Sequence, residues 1–276
     1  MFALIVLVLV VFWIAAFGFG RWALDRAALS KSLERGRVRT ASPPYDHDEI
    51  RGLPPPVVRY FEAALTPGRP FIERATLVEN GSMRTSPGSQ LTFSAVTRVT
   101  VRRPGFISEA YVKGPLGVRV IDAYAEGQGS FRLAALFGGL PLAGWKRVHD
   151  TRVLAEMARS QLQRWLAEAP WYPTALLPRA GVRWEPVDER SARATIVDGL
   201  NEASLLFRFG NDALVESVYA ESRGRDVRGQ LVPTPWEGRF SNPVERVGYV
   251  VPRDAAAQWI GDPAPYWSAA ADVTYD

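Results

Sequence analysis

The chain has 276 residues, 47% of them apolar, with no cysteine, two histidines and a formal charge of +4. The absence of cysteine excludes disulfides, thiolate nucleophiles, iron–sulfur clusters, cysteine zinc sites and lipobox acylation. Arg21, Arg26, Lys31, Arg35, Arg37 and Arg39, set against Asp25 and Glu34, supply the whole charge excess. The rest of the chain is balanced, so net charge gives no argument for nucleic-acid binding.

Residues 2–20 (FALIVLVLVVFWIAAFGFG) carry no charge. As a helix they would span about 28 Å, close to the ~30 Å hydrocarbon core of a bilayer. The run is longer than a signal-peptide core and has no basic residue before it, which predicts a retained single-pass anchor over 1–22. The basic residues that follow place the domain on the cytoplasmic side by the positive-inside rule, with the periplasmic side as the alternative. Residues 23–52 read as a basic, mostly helical juxtamembrane segment and a linker, and 53–276 as a single domain.

Leu53-Pro54-Pro55-Pro56 opens a helix with prolines in its first turn, carrying the apolar stripe Val57, Val58, Tyr60, Phe61, Ala64 and Leu65. Strand patterns follow over 72–79, 91–101, 106–113 and 118–126, separated by short turns that imply an antiparallel meander. Residues 127–150 read as a glycine-rich apolar connection. A helix then runs from Val153 to Ala169, its apolar face built from Leu154, Met157, Ala158, Gln161, Leu162, Trp165, Leu166 and Ala169. Asp150 or Thr151 is its expected N-cap, and Pro170 its stop. Strands resume over 182–187, 191–198, 203–209 and 214–223, then over 236–240, 246–251 and 269–275. Asp254 to Trp259 reads as a helical turn. With no βαβ alternation, the predicted fold is mainly β (α+β): one curved antiparallel sheet of about ten or eleven strands, a half-barrel with helices on its concave face, behind an N-terminal transmembrane helix.

No Walker A loop, G-x-G-x-x-G, G-x-S-x-G or H-E-x-x-H is present. His47 reads as a solvated linker histidine and His149 as the neighbour of a capping aspartate. Neither a metal nor a cofactor is implied. Asp122, Glu126, Glu168, Asp188 and Glu237 are the carboxylates to consider for acid–base work, and their spacing brings no two together. An enzyme would therefore have no identifiable mechanism. The aromatic residues of the second half are more informative. Leu162, Trp165, Trp171, Tyr172, Leu176, Leu177, Trp184, Phe207 and Trp236 are the expected wall or lid of an apolar cavity; the other reading is that they fill a solid core.

Leu53-Pro54-x-x-Val57-x-Arg59-Tyr60-Phe61, Trp171-x-Pro173-Thr174-Ala175-Leu176-Leu177-Pro178 with Gly181-Val182-x-Trp184, and Trp236-x-Gly238-x-Phe240 resemble an uncharacterised family of bacterial membrane-anchored proteins. The resemblance covers residue 50 onward and implies no catalytic residues. At the level of fold alone, the strand count and helical insertion are similar to the half-barrels of periplasmic lipoprotein carriers and lipid-binding relatives. The expectation is a binding protein for an apolar or lipid-like ligand, attached to the membrane through residues 2–20. The alternatives are an envelope interaction module with a filled core and an enzyme of unidentified mechanism.

Overall fold

A computed structural model describes residues 2–36, 42–86, 88–114, 117–135, 140–141, 150–228 and 230–276. Among the described residues, thirteen strands form one sheet in the order β6-β5-β4-β3-β2-β1-β13-β12-β11-β10-β9-β8-β7, antiparallel at every pairing. The first meander is β1 (Arg74–Ser86), β2 (Ser89–Thr100), β3 (Gly105–Val112), β4 (Val118–Ala125), β5 (Gln128–Ala135) and β6 (Leu140–Pro141). The second is β7 (Arg183–Asp188), β8 (Ser191–Asp198), β9 (Asn201–Phe209), β10 (Val215–Val227), β11 (Gln230–Arg246), β12 (Tyr249–Trp259) and β13 (Trp267–Tyr275). The C-terminal strand seams the two together by pairing with β1 from Ala75↔Tyr275 to Met83↔Trp267.

The two edges of the sheet, β6 and β7, are joined through helix α3 (Thr151–Glu168) and three short 3₁₀ turns between Ala169 and Ala180. This connection crosses the sheet: α3 touches β3, β4 and β5 on one side and β9, β10 and β11 on the other. A sheet that meets one helix from both sides must curve around it. Leu162, Trp165, Leu166, Trp171, Tyr172, Leu176 and Leu177 pack there against Val99, Phe106, Leu205, Phe207 and Val218 in the main core. Asp150 is the N-cap of α3, accepting from the Arg152 amide at 2.8 Å. The ring nitrogens are satisfied by backbone: Trp165 Nε1 donates to Thr100 O, Trp171 Nε1 to Pro252 O and Trp184 Nε1 to Leu176 O.

Helix α2 (Pro55–Ala64) starts on its prolines and lies against β8 and β12, with Tyr60 tilted on Phe209 at 5.6 Å. Helix α1 runs from Phe2 to Arg35 as one continuous element. Its second half docks on the outer face of the first meander, where Trp22, Leu29 and Leu33 meet Ile107, Ile121, Ala123 and Ala134. Arg26 pairs with Glu109 at 2.6 Å and Asp25 with Arg132 at 2.5 Å, so part of the basic stretch serves the fold. Tyr45 and Ile50, in the stretch expected as linker, are buried in the main core. Among the described residues no helix is long and apolar enough to cross a membrane. Several side chains of the apolar run 2–20 lie outside the described residues.

The sheet has more strands than the sequence predicts. The residues from 127 onward, expected as a connection, contain β5. Its Gly129 is needed because α3 passes close: a Cβ there would lie 2.9 Å from the Ala158 nitrogen. Asp254 to Trp259 is strand, not a helical turn. Its alanines have high helix propensity, but Val251, Ala255 and Ala257 are buried on one face at period two, and pairing to β11 and β13 decides the conformation.

Candidate functional site

The concave face carries small side chains where α3 has ended. Ala95, Ala110, Gly238, Ala255 and Ala257 point inward with Ala167, and they leave a partly enclosed cavity of about 270 Å³. Its walls are rings: Phe93 stacked on Trp267 at 6.1 Å, Trp171 edge-on to Phe240 at 5.6 Å, and Phe131, Trp236 and Tyr266. The volume exceeds the roughly 150 Å³ of an apolar cavity that holds benzene.

One side of this apolar space is charged. Arg164, on the inward face of α3, meets Asp122 of β4 at 2.6 Å and Glu168 at 2.7 Å. Gln161, one turn before Arg164, donates to the other Asp122 oxygen. Burial opposes the Arg164 charge, but Glu168, Asp122 and Glu79 outweigh it and hold the guanidinium well above its usual range. Glu79, on β1, is 2% exposed and accepts from Thr97 Oγ1 at 2.7 Å. Burial, then the nearby Glu168 charge, pushes its carboxyl up to about 7, against the opposing pull of Arg164 and Thr97. A carboxyl that exchanges its proton near neutrality inside a cleft marks a functional-site candidate.

On another part of the wall, Arg223 lies face-on over Trp236, its guanidinium carbon 4.5 Å from the ring centroid. The Trp236 indole donates in turn to Tyr266 Oη at 3.1 Å. Burial lowers the Arg223 pKa, with Tyr266 pulling the other way.

Of the residues expected to wall a ligand, Trp171 and Trp236 line this cavity. Leu162, Trp165, Tyr172, Leu176, Leu177 and Phe207 are fully buried in the main core, and Trp184 packs on that core edge-on to Phe207. His47 is exposed, 3.7 Å from Glu62, and His149 lies outside the described residues. No cluster of three metal-ligating side chains occurs among the described residues. Asp122 and Glu168, which sequence spacing does not bring together, share Arg164. Glu79, Arg164 and Arg223 were not singled out from the sequence. Two of them carried a signal: Glu79 falls in phase with the inward Ala75 and Leu77, and Arg164 falls beside Leu162, Trp165 and Leu166 on the packed side of its helix.

Fold and cavity define the class: an open antiparallel sheet wrapped around one helix, with a ring-walled apolar space bordered by buried and half-buried charged side chains. The chain belongs to the family of unknown function DUF6920, which it matches over residues 51–274. No curated protein matches its sequence. Among solved structures it is similar to a DUF1329 family protein from Desulfovibrio piger (13% identity, TM-score 0.38, 74% of this chain and 86% of that one). It is also similar to a LolA superfamily protein from Nitrosomonas europaea (9%, 0.32, 74% and 85%). A third likeness is to a putative outer membrane lipoprotein-sorting protein domain from Vibrio parahaemolyticus (9%, 0.37, 80% and 89%). Superpositions this partial carry no argument about activity.

Proposed function

We propose that the protein binds an apolar, lipid-like ligand in the concave cavity and is held at a membrane by the start of α1. The observation that carries the reading is the cavity itself: about 270 Å³ of space walled by aromatic rings and alanines on the inner face of the sheet. Each Å² of ligand hydrocarbon taken from water there contributes about 25 cal/mol. Pre-formed apolar clefts with a few convergent polar groups are the usual form of small-molecule sites.

The anchor rests on the uncharged run 2–20 and on the outward position of four of its described side chains. Leu9, Phe12, Trp13 and Phe17 are more than half exposed, whereas Trp22 and Leu33 in the second half of α1 are buried against the sheet. Rings and leucines in such a row are suited to lipid contact. Residues 1–22 would be the anchor, and the basic residues that follow favour a cytoplasmic domain. A reporter enzyme fused to the C terminus and active only in the periplasm would reverse that orientation.

The binding reading is tested by gentle extraction of the full chain from membranes and mass spectrometry of what co-purifies. A stoichiometric amphiphile, lost on filling the cavity, is the expected result. A consistently empty protein that also fails to take up added amphiphiles would sink the reading.

A further inference from the structure

Arg223 owes its place in the cavity to a break in strand alternation. Ala220 faces inward opposite Trp236, and strict alternation would send residue 223 to the outer face. Between Ala220↔Trp236 and Arg223↔Thr234, however, β10 uses one more residue than β11. An extra residue of this kind re-aims the side chains after it, and such bulges are common beside functional sites. Here the bulge turns Arg223 inward, onto the face of Trp236 and into the cavity wall.

Once there, the half-buried Arg223 guanidinium forms no ion pair or hydrogen bond among the described residues, in contrast to Arg164, which shares the same cavity and is paired with two carboxylates. A guanidinium has five N–H donors in a planar fork. Placing one among rings without an acceptor is costly, and the oxygens of a carboxylate or a phosphate match its fork. Beside it, Tyr266 Oη accepts from Trp236 Nε1, which leaves the tyrosine proton free to donate into the same space.

The charge count limits the partner. Asp122, Glu168 and Glu79 border the cavity together with Arg164 and Arg223, so with Glu79 protonated the charges balance; a monoanionic head leaves one negative charge in excess and a dianionic head two. The alanine and ring walls next to Arg223 suit a hydrocarbon chain. We infer that the cavity takes a single-chain amphiphile with a carboxylate head, the head held by the Arg223 guanidinium and the Tyr266 hydroxyl and the chain lying along the ring wall. This rests on the cavity being a ligand site.

The test offers the full-length chain, in a mild detergent at pH 6.5, an equimolar mixture of dodecanoate and 1-dodecanol. After gel filtration, mass spectrometry counts the molecules retained per chain. Wild type should retain dodecanoate at least tenfold over dodecanol. Arg223→Met should lose that preference while keeping dodecanol, and Arg223→Lys should keep part of it. Equal retention of acid and alcohol by wild type would overturn the headgroup site and leave the apolar-ligand reading standing. So would an undiminished preference in a folded Arg223→Met. Retention of neither molecule would overturn the ligand cavity and the headgroup site together. The acid-to-alcohol ratio in wild type needs no variant to fold.

Discussion

Arg164 and Asp122 meet at 2.6 Å across the gap between α3 and β4, and the bond ties the central helix to the first meander. Both side chains are less than a fifth exposed, and Glu168 holds the same guanidinium at 2.7 Å. Removing one partner of a buried charge cluster leaves the others uncompensated. Arg164→Met should therefore cost about 3 kcal/mol in urea unfolding. Arg193→Ala breaks a pair with Glu221, which is 70% exposed, and should cost no more than about 0.5 kcal/mol. Equal losses in the two variants would mean that the Arg164 cluster is not under strong electrostatic demand.

Glu79 sets a pH dependence whose sign follows from its raised pKa. Between the ordinary value of 4.5 and about 7, the unfolded chain has released this proton and the folded chain still holds it. Stability must then fall as pH rises through that window, by up to about 3 kcal/mol. Glu79→Gln keeps an acceptor for Thr97 and cannot ionise. Its stability relative to wild type should rise from pH 4.5 to 7 and level off above. A constant difference across that range would show that Glu79 titrates normally.

Much of this fold was readable in advance because its signals are local. The α3 face from Ala158 to Ala169 repeats at three and four, although Leu154, expected on it, is exposed; Asp150 caps the helix, and the closing strand before Tyr275 alternates cleanly. What was not readable depends on which elements become neighbours. Gly129 reads as part of a glycine-rich connection until Ala158 is placed against it, and Ala255 to Ala257 read as helix until β11 and β13 flank them. The site follows the same rule. Trp171 and Trp236 stand out by composition, whereas the role of Arg223 depends on a bulge, and a bulge shows only in the register of two paired strands. Glu79 and Glu168 lie far apart in sequence and interact because β1 and the end of α3 border one cavity.

The seam between β1 and β13 depends on Gly81. A Cβ at that position would lie 2.8 Å from Ala269 Cα and closer still to the Ser268 carbonyl oxygen. Backbone cannot yield as the tip of a side chain does, so Gly81→Ala should force the strands apart and cost about 1–3 kcal/mol. Gly114 has no atom within 4 Å of the same construction, and Gly114→Ala should stay within about 0.5 kcal/mol of wild type. Thermal unfolding of the two variants side by side checks this. A neutral Gly81→Ala would mean that the seam is loose, with Ala75↔Tyr275 and its neighbours contributing little to joining the meanders.

The cavity exists because small residues occupy inward positions, so enlarging one of them should fill it. Ala257 lies inward on β12 among the lining residues, opposite Gly238 of β11. Ala257→Leu adds hydrocarbon to space that is already open. It should leave stability unchanged or raise it by about 0.5–2 kcal/mol, as cavity-filling changes commonly do. Were the face solidly packed, the same change would overpack it and cost about 1–3 kcal/mol. Ala270 alternates with the buried Ala269 and Ala271 and so faces the other side of the sheet, where Ala270→Leu provides a control. Retention of a twelve-carbon amphiphile should fall at least tenfold in Ala257→Leu and stay at the wild-type level in Ala270→Leu. Destabilisation of Ala257→Leu with binding intact would place the ligand elsewhere and make this face core, whereas stabilisation with loss of binding would locate the ligand between β12 and the end of α3.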